Sequence, residues 1–217
     1  MKRILVIAAH PDDELLGCGG TVIRHTDNGD EVRSIIVCEG ESLRYKKEQY
    51  NQKDYTERAA KLMGVSQIYR LGYPDQRLDT ISLVDLNISL EKIISDYCPQ
   101  RIYIQHGGDL NRDHRIVFES ANVALRPTAE FVEEIFAFYT VGSTELGYTM
   151  PFIPTYWVDI TNQLERKIKA FECYISEIRE YPHPRSSQSL RNLALFTGNQ
   201  CCMEAAESFV TIRKIDR

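Results

Sequence analysis

Apolar and polar positions along this chain fall into blocks whose period switches. Residues 4–8, "ILVIA", are an unbroken apolar run, and residues 15–28 are spaced for a helix that Asn28-Gly29 stops. Residues 31–38 return to a β-branched run and complete a strand–helix–strand unit. The alternation then repeats, with a helix over 53–63 ended by Gly64, a strand over 67–71, and an amphipathic helix over 83–97 stopped by Pro99. A strand over 101–105, a helix over 113–125 and a strand over 135–139 follow. Such repetition predicts an α/β fold whose parallel sheet carries helices on both faces. Ligands of such sheets bind outside the carboxyl ends of the strands.

The last third reads differently. It offers a short strand over 156–158, a helix over 162–178, a "YPHPR" loop, a second helix and the strand-like "SFVTIR". No linker, internal repeat or low-complexity tract divides the chain. Residues 1–217 therefore read as one domain, with about 150–217 as an appendage that caps the active-site edge.

Composition narrows the function. At 217 residues and 43% hydrophobic, the chain can bury a substantial core without staples. A formal net charge of −5 leaves no excess of Lys and Arg for a phosphate backbone, which argues against nucleic acid as a partner. No stretch approaches the roughly 20 apolar residues of a membrane span, and the first apolar run is broken too early for a signal peptide. The six cysteines show no CxxC spacing and read as reduced and structural, as in a cytoplasmic protein. A homo-oligomer is compatible with all of this.

Candidate chemistry begins where the first strand ends, in "HPDDE", residues 10–14. Several ionised acids crowded beside a low-dielectric core are costly unless a cation compensates them. A second cluster, "QHGGDLNRDHRIV" at 105–117, follows another predicted strand and brings His106, Asp109, Asn111, Asp113 and His114 to the same edge. Two histidines and one carboxylate with an open position are a common catalytic zinc arrangement, which His10, Asp13 and His114 would complete. Iron suits the same set.

Blander readings exist for each part. Asp12 or Asp13 could cap the helix that follows, and "NRDH" could be a surface turn and N-cap. Capping accounts for one acid, not for three and a histidine. The glycines of "GCGG" fail the dinucleotide fingerprint, because Val occupies position 22 and acids stand where phosphate would sit. They read instead as sites of close helix–sheet packing or substrate approach.

The segment "AHPDDELLGCGG" resembles the opening motif of the PIG-L/LmbE-like N-deacetylase family. "ERAAKLMGV", "LGYPDQRL", "GGDLNRDHRIV", "STE" at 143–145, "PHPRS" at 182–186 and "AAESFVTIR" extend the likeness through most of the chain. The resemblance implies a Rossmann-like three-layer α/β/α fold with a mainly parallel central sheet. It also implies a zinc-dependent hydrolase that removes the acetyl group from an N-acetylglucosamine-type sugar conjugate. His10, Asp13 and His114 match the family's zinc ligands, and Asp12 its general base. Several branches carry a second histidine where this chain has Asn111, which cannot deliver a proton. The resemblance, in which a C-terminal histidine completes the site of some relatives, points to His183 as the oxyanion-stabilising group and proton donor, with His106 as its competitor and Asp113 as an orienting group. Arg44, Tyr45, Asp75, Arg77 and Arg185 are loop residues that could reach a sugar or a linked phosphate. The contrasting expectation is a metal- or sugar-binding protein on the same fold without turnover.

Overall fold

One seven-stranded sheet organises the chain. Its strands are β1 (Arg3–Ala8), β2 (Glu31–Cys38), β3 (Gln67–Tyr73), β4 (Arg101–Gln105), β5 (Glu134–Phe138), β6 (Tyr156–Asp159) and β7 (Ala206–Lys214), in the order β3-β2-β1-β4-β5-β7-β6. In this computed structural model, which describes residues 1–41 and 51–216, β1 to β5 are parallel. β7 runs antiparallel to β5, and β6 antiparallel to β7. The C-terminal third thus extends the sheet as well as contributing loops to its edge.

The apolar run of β1 is continuous because the strand is covered on both sides. Ile4 and Val6 enter one core with side chains of α1 (Asp13–Asp27), α2 (Gln52–Met63), α5 (Leu164–Phe171) and α6 (Ser187–Asn199). Leu5 and Ile7 enter the other with α3 (Leu83–Tyr97) and α4 (Arg112–Ala124). From β1 the chain builds outward through β2 and β3, then returns to start β4 on the opposite side. The carboxyl ends of β1 and β4 therefore flank the point where strand order reverses, and a crevice opens there.

Two local departures from the sequence pattern matter. The helix expected over 162–178 ends at Phe171. Beyond it, Tyr174 N–H bonds Phe171 C=O at 2.9 Å and Glu177 N–H bonds Tyr174 C=O at 2.8 Å, turns that bury Tyr174 and deliver its hydroxyl to Glu14 at 2.6 Å. Tertiary contacts override helix propensity there.

The second departure is a break in α1 at Cys18, whose φ and ψ are −144° and 20°. Backbone groups around the break are satisfied by a buried ion pair. Lys167 Nζ donates to Leu16 C=O at 3.0 Å, and the Glu207 carboxylate accepts from the N–H groups of Gly20 and Thr21 at 2.9 and 2.7 Å. The "GCGG" glycines let this broken helix lie close to its neighbours. A Cβ on Gly17 would stand 2.1 Å from the Phe138 ring, and one on Gly20 2.8 Å from Ile160.

Candidate metal centre and its cavity

His10 follows β1, Asp13 opens α1, and His114 sits in the first turn of α4, so two loops at the sheet edge bring them together. His10 Nδ1 lies 3.2 Å from His114 Nε2 and 3.2 Å from Asp13 Oδ2, and His114 Nε2 lies 3.3 Å from the same oxygen. All three residues are buried. Ligands at about 2.0–2.1 Å from a tetrahedral ion stand about 3.3 Å from one another, so this triangle has the dimensions of one face of such a site. Asp13 Oδ1 is buried with no hydrogen-bond partner among the described residues. A carboxylate with Oδ2 beside two imidazole nitrogens and Oδ1 left without a partner fits a divalent cation.

Each imidazole is held from behind, as metal-binding histidines are. Asp113 Oδ2 lies 3.1 Å from His10 Nε2, and Asp109 Oδ1 lies 3.1 Å from His114 Nδ1. Burial opposes ionisation of these two acids, yet the imidazoles hold both below the usual carboxylate range. Asp109 Oδ2 also accepts from Ser143 Oγ at 2.9 Å and Thr144 Oγ1 at 2.6 Å, while Leu78 N–H donates to Asp113 Oδ1 at 3.1 Å. Gln105, at the end of β4, ties the two loops together. Its Oε1 accepts from Ala9 N–H at 2.7 Å, and its Nε2 donates to Asp13 Oδ2 at 2.9 Å.

Asp12 occupies the wall beside this triangle in a left-handed conformation, φ 101°. Such a backbone costs a non-glycine residue about 1–3 kcal/mol and persists only where its surroundings impose it. Its N–H donates to Glu14 Oε2 at 3.1 Å, and Glu14 is in turn fixed by Tyr174. Burial pushes the Glu14 carboxyl up to about 7. Asp12 does not cap α1; its Oδ2 accepts from Arg185 Nη1 at 2.9 Å. Burial also pushes the Asp12 carboxyl well above the usual range, with Arg185 pulling in the opposite direction.

A cavity of about 550 Å³ opens over these groups. His10, Asp12 and His114 meet it from the sheet edge, and Glu177, His183 and Arg185 from the connection between α5 and α6. His183 Nδ1 accepts from Arg185 N–H at 3.0 Å, which leaves Nε2 as the proton-bearing nitrogen of the neutral ring. Arg185 is a bridge rather than a free substrate fork, since Nη1 also donates to Glu177 Oε2 at 2.6 Å. Asn111 lines the cavity while its side chain accepts from Asp113 N–H at 2.9 Å as the N-cap of α4.

Other residues singled out from the sequence fall elsewhere. His106 is 2% exposed, lies off the cavity wall, and has Nε2 against Met150 C=O at 3.0 Å and its ring edge-on to Phe152. Packing holds it there, away from the cavity. Arg77 is exposed and off the wall, whereas Asp75 does line the cavity, buried 3.2 Å from His10 Nε2. Arg44 and Tyr45 lie outside the described residues. Sequence reasoning counted Glu14 among the crowded acids without giving it a role, read Cys38 as structural, and missed Gln105 and Glu177. Gln105 had a usable signal, a polar residue ending an apolar strand directly before the second cluster.

Fold and site together define an α/β protein with a buried His–Asp–His centre at the switch point of a parallel sheet. The model of the family described as GlcNAc-PI de-N-acetylase matches residues 5–125, and the chain belongs to that family. It is 28% identical over 173 residues to YaiS of Escherichia coli K12, named an uncharacterized deacetylase, covering 77% of this chain and 83% of that protein. It is 24% identical over 222 residues to the diacetylchitobiose deacetylase of Thermococcus kodakarensis, covering 95% and 82%. The fold also superposes on GalB, the 4-carboxy-2-hydroxymuconate hydratase of Pseudomonas putida KT2440, with a TM-score of 0.82 at 18% identity, covering 100% of this chain and 98% of that one. That last likeness concerns the fold alone.

Proposed function

We propose that the protein is a metal-dependent amide hydrolase that removes the acetyl group from an N-acetylglucosamine-type sugar conjugate. The observation that carries this reading is the His10–Asp13–His114 triangle, open to a cavity whose wall presents Asp12 in an imposed, strained conformation. Relatives named as deacetylases of diacetylchitobiose and of an acetamido-glucopyranoside of inositol support the substrate class. Zinc is the metal proposed; ferrous iron suits the same donors. Such an ion would acidify water at neutral pH and polarise the acetamide carbonyl.

The chain's own residues supply the rest. Asp12 accepts the proton of the attacking water, and burial raises its affinity for protons above that of a solvated carboxylate. Arg185 holds the Asp12 carboxylate in place and limits the cost of its charge in a buried wall. As the tetrahedral oxyanion develops, His183 donates a hydrogen bond to it from Nε2, and the proton that Asp12 took from water passes to the departing amine. Glu14 and Tyr174 act from beneath by keeping Asp12 at its angle. The connection between α5 and α6 closes one side of the cavity and would contact the sugar.

No helix among the described residues is long and apolar enough to cross a membrane. We assign the protein to the cytoplasm, whose reducing conditions keep Cys38, beside His10, a free thiol. His183→Ala tests the donor assignment. The account expects metal and fold to be retained while kcat falls far more than KM rises; a purely raised KM would make His183 a substrate-binding residue only.

A further inference from the structure

The cavity wall carries more arginine than its acids use. Among the described residues its carboxylates are Asp12, Asp75 and Glu177. Asp12 and Glu177 both accept from Arg185 Nη1, at 2.9 and 2.6 Å, and Asp75 stands 3.2 Å from His10 Nε2. Two further arginines, Arg112 and Arg179, line the same cavity and are exposed. Arg179 lies on the connection between α5 and α6. Its Nη1 donates to Ser176 C=O at 2.7 Å and to Ile178 C=O at 2.9 Å, and among the described residues no carboxylate meets it. Those bonds fix one terminal nitrogen against the backbone and leave Nη2 and Nε for a ligand. Arg112 stands in the first turn of α4. Its Nη1 lies 3.3 Å from Asp79 Oδ2, which is off the wall, and the two side chains are 67% and 35% exposed. An ion pair so open to water is weak, and it engages one side of the guanidinium only.

We propose that Arg112 and Arg179 form an anion subsite at the mouth of the cavity, and that the substrate is a conjugate whose aglycone carries a phosphate or a carboxylate. The inference rests on the reading of the protein as a deacetylase of N-acetyl sugar conjugates and adds which conjugates it selects. A guanidinium fork matches the paired oxygens of either anion. The cavity, at about 550 Å³, is in the range that takes ligands larger than one sugar ring. With the acetamide over His10, Asp13 and His114 and beside Asp12, the aglycone points away from the sheet edge, toward the arginines. Neither arginine reaches the reacting atoms, so their effect falls on KM. Arginine stays protonated throughout the working range of pH, which makes the subsite permanently positive. Its exposure makes the attraction sensitive to salt.

Three N-acetylglucosamine derivatives that differ only at the anomeric substituent test this on the zinc-loaded protein: the methyl glycoside, the carboxymethyl glycoside and the 1-phosphate. For at least one anionic member, kcat/KM should exceed that of the methyl glycoside by about tenfold or more, with the difference carried by KM. The better of the two distinguishes phosphate from carboxylate. Raising NaCl to about 0.5 M should remove most of the preference. The double substitution Arg112→Ala, Arg179→Ala should bring the ratio close to one, and lysine at both positions should restore part of it. Equal KM values for all three compounds overturn the proposal, as does a preference that the double substitution leaves intact. Absence of turnover on all three counts against the deacetylase reading rather than the subsite, which calorimetry on the same protein then decides. Binding of the 1-phosphate about tenfold or more tighter than the methyl glycoside, with the excess lost in the double variant, upholds the subsite. Equal binding, no binding, or an excess that the double variant keeps overturns it.

Discussion

Single side chains divide the proposed work between holding a metal and moving a proton, and substitution separates the two. His114→Ala leaves His10 and Asp13, too few protein ligands for a tight site. Metal analysis of the purified variant should find zinc lost on dialysis, whereas a full equivalent held at wild-type affinity would mean that His114 is not a ligand. Asp12→Asn preserves volume and removes the base. Metal content should persist while turnover drops by roughly 10²–10⁴-fold. Loss of metal would reassign Asp12 as a ligand, and unaltered turnover would remove it from the mechanism. At this scale the sequence was informative wherever chemistry is local: His10, Asp12 and Asp13 stand together in one motif, and Asp109, Asp113 and His114 in another. It was silent on partners brought in from afar. Arg185 reaches Asp12 across 173 positions, and a loop arginine carries no mark that its fork will meet a buried acid rather than a substrate.

Helices and strands place those side chains, and the break in α1 is the element on which the placement depends. The Lys167–Glu207 pair is buried, with side-chain exposures of 7% and 5%, and serves backbone groups on both sides of the break. Glu207→Gln leaves the lysine charge without its counterion, a change that typically costs about 3–5 kcal/mol. Denaturant unfolding should show a lower midpoint; an unshifted midpoint would mean that the pair contributes little and that α1 is held by packing alone. Buried parallel strands were legible because an apolar run bounded by turn residues has few other uses. The break was not, since Cys18 is an ordinary helix residue and its conformation answers to α5 and β7. The early end of α5 was hidden for the same reason, as Tyr174 is drawn inward by Glu14.

Taken whole, the molecule sets a His–Asp–His triangle that could hold a cation, a strained acid and a histidine around one cavity at the reversal of its strand order. That fold class accommodates more than one chemistry, so the arrangement of groups, and not the fold, carries the functional claim. Measuring acetate released from a panel of N-acetylated sugars and their conjugates tests it most directly, comparing protein stripped by chelator with protein reloaded with one equivalent of zinc. The account predicts turnover on at least one N-acetylglucosamine-type member, abolished by stripping, restored by zinc, and strongly reduced in an Asp12→Asn variant that still holds its metal. No acetate from any member, with one equivalent bound to His10, Asp13 and His114, would contradict it and leave a binding protein on this fold.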